Sequence, residues 1–198
     1  DGHVDLFVSN GIKRDMMHKD ASLQRKKMLE QNQKSSLDDL YDLIPSTKLA
    51  NYIFQNQGDF QFVNMADTWG LEQRTFSNGA CYADLNNDGN LDLVINNLDQ
   101  PASVYQNRGN ANNWVEIKLT HPGTPNPNGI GSTVKVFAGS LNQTKDVRTV
   151  RGFQSGVSTL LHFGLSAEER IDSITVVWDN QMQQTIRETR INSLVEIQ

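Results

Sequence analysis

A ten-residue pattern stands twice in the chain. Asp1-Gly2-His3-Val4-Asp5-Leu6-Phe7-Val8-Ser9-Asn10 aligns with Asp88-Gly89-Asn90-Leu91-Asp92-Leu93-Val94-Ile95-Asn96-Asn97, sharing D-G-x-(apolar)-D-L-(apolar)-(apolar)-x-N at an offset of 87 residues. A glycine turn running straight into an apolar, β-branched stretch is a turn-and-strand unit, and a unit that recurs buries its apolar face against its neighbours. The chain is thereby constrained to a framework of short strands. Propeller-type repeats span about 40 to 50 residues, so the larger offset calls for extra chain between the copies.

Residues 11–48 supply that extra chain. They hold eight Lys or Arg and six Asp or Glu, a net +2 inside a chain whose total is −5. Asp20-Ala21-Ser22-Leu23 reads as a helix start, followed by the helix formers Lys26, Lys27, Leu29 and Glu30. A second short helix is expected after Ser35 or Ser36, with Leu37, Leu40, Tyr41 and Ile44 on one stripe and Pro45 as its stop. The segment reads as a helical insertion hung from strands.

Beyond it the apolar period becomes two. Asn51–Asn56 and Phe60–Val63 are expected strands across the turn Gln57-Gly58-Asp59, and Gly79–Asp84, Leu91–Ile95 and Ala102–Asn107 are three more. After Asn110-Ala111-Asn112-Asn113, seven further strands are expected at Trp114–Leu119, Thr133–Ala138, Val147–Arg151, Thr159–Phe163, Ile171–Trp178, Thr185–Glu188 and Leu194–Ile197. The expected organisation is all-β, with propeller-type blades over 1–112 interrupted by the insertion 11–48, and an antiparallel β-sandwich or barrel over 113–198.

One segment has ligand spacing. In Asp84-Leu85-Asn86-Asn87-Asp88-Gly89-Asn90-Leu91-Asp92, side-chain oxygens fall at positions 1, 3, 5 and 9, with glycine at 6 and a free carbonyl, that of Asn90, at 7. Calcium takes roughly six to eight oxygen ligands at about 2.3 to 2.6 Å, which this alternation can fold inward. Asn, Asp and Gly also make metal-free turns. Charge favours the ion: from Thr75 to Asn107 there are four acids and no Lys or Arg. Position 12 is Ile95 where an EF-hand has glutamate, and the flanks are strands, so Asp92 has to close the site. Asp1 and Asp5 match positions 5 and 9 and read as the tail of a second, partial metal loop, and on that reading the chain is expected to be a fragment of a longer protein.

These residues carry a resemblance. D-L-N-N-D-G-N-L-D-L, preceded by Ser77-Asn78-Gly79-Ala80 and followed by Tyr105-Gln106-Asn107, resembles the FG-GAP/VCBS repeat of integrin-like β-propellers. In that family the aspartate-rich loop binds Ca2+, which implies the role for Asp84, Asn86, Asp88, the Asn90 carbonyl and Asp92. Asn113-Trp114-Val115-Glu116-Ile117, Gly129–Val134, Arg151-Gly152-Phe153-Gln154-Ser155, Leu161-His162-Phe163-Gly164-Leu165 and Val176-Val177-Trp178 resemble the ASPIC/UnbV domain that follows such repeats. The departures are Asp179 where that family tends to have proline, and little more than one blade where a closed propeller needs about four.

Catalysis finds little support. None of His3, His18, His121 and His162 stands in a nucleophile-elbow or zinc-helix motif. His162 reads as a structural histidine in an apolar strand, His121 as exposed, and Cys81 as a small buried hydrophobe. Trp69, Trp114 and Trp178 read as core. The net charge of −5 and pI near 5.3 argue against nucleic acid, and no apolar run approaches the roughly 18 to 20 residues of a membrane helix. The expected function is a non-catalytic, calcium-stabilised extracellular binding or adhesion module with a protein or glycan ligand. The alternative is a carbohydrate-binding accessory domain. Extracellular, cell-surface or periplasmic calcium would fill such a loop, and Asn142-Gln143-Thr144 is a glycosylation sequon.

Overall fold

The repeated pattern opens a strand each time in the computed structural model, which describes residues 1–31, 36–109 and 111–198. The first copy leads into β1 (Leu6–Val8), after which come helices α1 (Lys19–Glu30) and α2 (Leu37–Asp42). Then follow β2 (Leu49–Ala50), β3 (Tyr52–Asn56), β4 (Phe62–Asn64), β5 (Arg74–Thr75), β6 (Ser77–Ala83), β7 (Asp92–Asn97) and β8 (Ser103–Tyr105). They form open sheets in the orders β1-β3-β4, β2-β5 and β6-β7-β8. Among the described residues no sheet closes on itself, and no helix is long and apolar enough to cross a membrane.

The two copies share more than their opening. Leu6 faces Phe54 in the β1–β3 pair as Leu93 faces Tyr105 in the β7–β8 pair. Phe54-Gln55-Asn56 is therefore the counterpart of Tyr105-Gln106-Asn107. The Asn56 N–H donates to Asp5 Oδ1 at 2.8 Å, and the Asn107 N–H donates to Asp92 Oδ1 at 2.8 Å. Gly58 and Gly109 in turn donate to the side-chain oxygens of Asn56 and Asn107, at 3.0 and 2.9 Å. Both helices thus stand between β1 and β3, where the second copy has only the short turn from β7 to β8.

Local chemistry sets the helix ends. His18 Nδ1 accepts the Ala21 N–H at the start of α1, one residue earlier than the sequence suggests. Ser36 and Asp39 cap α2 reciprocally at 3.1 and 2.8 Å, and these bonds hold the Asp39 carboxyl below its ordinary pKa. Of the alternative starts, Ser36 is the cap and Ser35 lies outside the described residues. The expected stripe on α2 does not form, because the helix ends at Asp42. Ile44, two residues on, is buried, while Leu37 and Tyr41 stay exposed. The turn after β3 also runs one residue further than expected, with both Asp59 and Phe60 at positive φ.

The C-terminal strands are β9 (Asn113–Leu119), β10 (Thr133–Ala138), β11 (Leu141–Asp146), β12 (Val150–Gly152), β13 (Ser155–Gly156), β14 (Leu161–Ser166), β15 (Ser173–Val177), β16 (Gln183–Ile186) and β17 (Ser193–Ile197). Two larger sheets, β11-β10-β15-β16 and β14-β9-β17, send alternate residues into one apolar cluster. Val115, Ile117 and Leu119 meet Val134, Val136, Phe163, Leu165, Ile174, Val176 and Ile197 there. Two expectations need correction. The sheets are not wholly antiparallel, since β17 pairs with β9 in parallel. The expected strand Val147–Arg151 is split: Val147 plugs the core from a loop, and the strand begins only at Val150. β11 (LNQTKD) has no apolar alternation to announce it. It is a polar edge strand held by its hairpin with β10.

Candidate functional site

The loop between β6 and β7 turns on its own oxygens. Gly89 (φ 85) and Asn87 (φ 58) take the left-handed conformation that reverses the chain. Asp84 Oδ2 accepts the Gly89 N–H at 2.7 Å, and Asp84 Oδ1 and Asn86 Oδ1 both face the Asp88 N–H, at 3.1 and 3.3 Å. Asp88 Oδ1 accepts the Asn90 main-chain and side-chain N–H groups at 2.8 and 2.9 Å, and Asp88 Oδ2 accepts Asn86 Nδ2 at 2.8 Å. The Asn86 side chain first, then the two Asn90 donors, hold the Asp88 carboxyl below the usual carboxylate range. The structure therefore brings Asp84, Asn86, Asp88 and Asn90 together on one turn.

Asp92 behaves differently. It is 2% exposed, and its Oδ2 accepts the Leu85 N–H at 3.1 Å while its Oδ1 takes that of Asn107 at 2.8 Å. It pins the loop to β7 and to the exit of β8. Asp1 and Asp5 repeat the pattern: Asp1 Oδ1 accepts the His3 N–H at 2.9 Å, as Asp88 accepts that of Asn90. The donors to these carboxylates are N–H groups, and among the described residues no Lys or Arg pairs with Asp84, Asp88 or Asp92. No three His, Cys, Asp or Glu side chains among the described residues gather at metal-binding spacing. The donor set is nonetheless all oxygen and carries three carboxylates without a counter-charge, which suits a hard divalent cation.

The loop does not stand free. Val115 and Ile117 of β9 and Phe163 and Leu165 of β14 face the core, so Trp114 and Glu116, and His162 and Gly164, share the opposite face. The second repeat copy sits on that face. A Cβ at Gly89 would stand 1.9 Å from Trp114 Nε1, so only glycine lets the turn meet the indole. His162 Nε2 donates to the Gly89 carbonyl at 2.7 Å, and its ring stacks on Trp114 at 6.0 Å. The first copy rests alongside: a Cβ at Gly164 would lie 3.1 Å from the Asp1 and Gly2 nitrogens. The hairpin β12–β13 adds a third contact through Ser155 Oγ, which accepts the Ala80 N–H at 3.1 Å.

Burial shapes the titration of this face. It lowers the His162 imidazole, a shift that the bond to the Gly89 carbonyl opposes. It raises the Glu116 carboxyl, and the Asp84 charge raises it further. Lys145 reaches from β11 to donate to the His162 carbonyl and lies over the Phe163 ring, 5.0 Å from its centre. Burial first, then Arg151, lowers its ammonium to about 8. The unfolded chain keeps that proton up to the ordinary value of about 10.4, so between pH 8 and 10.4 the unfolded state binds more protons and stability rises with pH. Below pH 8 the penalty of burying the charge is present in full. We expect wild type to gain about 2 to 3 kcal/mol across that window relative to Lys145→Met, measured by urea unfolding at each pH. Parallel profiles would show that Lys145 keeps its solution pKa.

Several residues fall differently from their sequence reading. Trp114 is half-buried on the outer face and is not core; Trp178 alone of the three tryptophans lies in the core, and Trp69 is exposed. His121 is half-buried against Trp178, with ring centres 5.1 Å apart, where exposure was expected. Cys81 is only half-buried, His18 caps α1 and His3 is exposed. Sequence reasoning missed Glu116 and Lys145. The alternation of β9 places Trp114 and Glu116 on one face, which is the signal that was available.

Residues 122–198 match the family model described as ASPIC and UnbV. β9, the middle strand of its sheet, lies upstream of that match. A 56-residue stretch is 36% identical to cartilage acidic protein 1 of Xenopus tropicalis, covering 28% of this chain and 9% of that protein.

Proposed function

We propose that the loop 84–92 holds a calcium ion and that the chain is a non-catalytic, calcium-stabilised binding or adhesion module working outside the cytoplasm. The observation that carries this reading is the pair of carboxylates, Asp84 and Asp88, folded with the Asn86 and Asn90 amides onto one turn with no basic partner among the described residues. Asp84, Asn86 and Asp88 would hold the ion through side chains, Asn90 through its carbonyl, and Asp92 would close the site from below. Bound calcium would neutralise the mutual repulsion of the carboxylates. The ASPIC and UnbV match and the similarity to a cartilage protein support an extracellular setting, where calcium is abundant enough for a site of modest affinity.

Thermal unfolding tests the reading directly. At calcium about 100-fold above its dissociation constant the gain is about 2.7 kcal/mol, so the melting temperature should rise clearly over that in EDTA. Asp88→Ala, at an exposed position, should lose the calcium-dependent rise while melting close to wild type in EDTA. An identical wild-type curve in calcium and in EDTA would sink the proposal.

A further inference from the structure

A line of polar side chains runs from the end of the first repeat copy, through the interior, to the surface beside the second. The Asn10 N–H donates to Asn51 Oδ1 at 2.9 Å, and Asn51 Nδ2 donates to Ser77 Oγ at 2.9 Å. Ser77 Oγ, 2.6 Å from Thr75 Oγ1, donates to Asn97 Oδ1 at 2.9 Å, and Asn97 Nδ2 donates to Ser103 Oγ at 2.8 Å. Asn51, Thr75, Ser77 and Asn97 are all buried, and Asn10 and Asn97 are the closing residues of the repeated pattern. The line ends on Gln73, whose Oε1 accepts from Ser103 Oγ at 3.2 Å and from Tyr105 Oη at 3.4 Å. Two donors on the oxygen set the orientation of the amide. Gln73 Nε2 has no partner among the described residues and is left as a free donor.

That donor borders an open depression of about 380 Å³ along the outer edge of β8, the last strand of its sheet. Small-molecule sites occupy about 300 to 1,000 Å³. Gln100, half-buried in the same wall, brings a second amide with no partner among the described residues. Pro101, Val104 and the Tyr105 ring add apolar surface, Val104 being 63% exposed. No charged side chain lines the depression, so nothing there would offset the desolvation of a phosphate, sulfate or carboxylate. An edge of three residues is also a short ladder for an added peptide strand. The lining suits a neutral group that both gives and accepts hydrogen bonds and lays C–H surface on apolar side chains. We infer that the depression takes one neutral sugar residue of a glycan, its hydroxyls meeting the Gln73 and Gln100 amides and the Tyr105 hydroxyl. The inference rests on the binding-module reading above, to which it gives a ligand class, and not on the calcium site.

A glycan array probed with the whole, fluorescently labelled 198-residue chain, in calcium and in EDTA, tests it. Neutral oligosaccharides should retain wild type more strongly than their sulfated or carboxylated counterparts. Calorimetric titration with the best-retained neutral oligosaccharide then places the site. Gln73→Glu keeps an acceptor for both hydroxyls but loses the free donor, and should bind about 10-fold more weakly. Val104→Lys sets a charge in the depression from an exposed edge position and should weaken binding at least as much, and both variants should melt with wild type. If both bind as tightly as wild type, the sugar sits elsewhere and the inference is overturned. Retention by anionic glycans alone, by arrayed peptides in place of glycans, or by nothing on the array overturns it as well. A chain that no glycan retains but that melts higher in calcium loses the sugar site and keeps the calcium reading. A chain that binds sugar through Gln73 and melts identically in calcium and in EDTA keeps the sugar site and loses the calcium reading.

Discussion

Asp92→Ala is expected to lower stability by about 3 to 5 kcal/mol in EDTA, and by more in calcium. Two main-chain N–H groups, those of Leu85 and Asn107, depend on this one buried carboxylate. A hydrogen bond to a charged acceptor contributes about 1.5 to 3 kcal/mol, and removal leaves two partly buried donors without their acceptor. Asp92→Asn, with one acceptor oxygen left, should recover about half of the loss. Asp88→Ala, at an exposed site, should stay much closer to wild type in EDTA than Asp92→Ala does. Urea unfolding of the three variants in both solutions gives the comparison. If Asp92→Ala costs no more than Asp88→Ala in EDTA, Asp92 does not pin the loop. In calcium Asp92→Ala should also lose the ion, which separates its two roles within one data set.

Gly89→Ala is the second large effect, at about 3 kcal/mol or more. A left-handed backbone costs a residue with a Cβ roughly 1 to 2 kcal/mol, and φ at Gly89 is 85 degrees. The added methyl would also lie 1.9 Å from Trp114 Nε1 and 2.1 Å from Cε2, so the loop has to lift off the sheet. Overpacking of this kind costs about 1 to 3 kcal/mol. The two parts can be separated, because Trp114→Ala removes the collision and leaves the backbone term. The double variant should therefore be less destabilised than the sum of the two single ones by more than about 0.5 kcal/mol. Strict additivity would show that the loop and β9 do not touch in solution. Lifting the loop also breaks the His162 bond to the Gly89 carbonyl.

The turn chemistry was legible from the residues because it is local. Every bond that Asp84, Asn86 and Asp88 make in the loop spans five residues or fewer, so spacing alone places their oxygens on one turn. The repeat was legible for the same reason, though only its opening half. The closing half, Phe54-Gln55-Asn56 against Tyr105-Gln106-Asn107, was hidden because the helical insertion changes its offset, and it emerges from the strand register. The polar strand β11 was missed because an edge strand held by its neighbour needs no apolar pattern of its own.

The sequence by itself determined the class of element, the identity of the turn and the residues that share each face of β9 and β14. Alternation divides Val115 and Ile117 from Trp114 and Glu116 with no knowledge of the fold. It cannot say what each face meets, since that depends on partners far away in the chain: Gly89 stands 73 residues from His162. Only the tertiary structure decided that the polar face is covered by the loop and not by water. That contact turns Trp114 from a supposed core residue into a seat for Gly89.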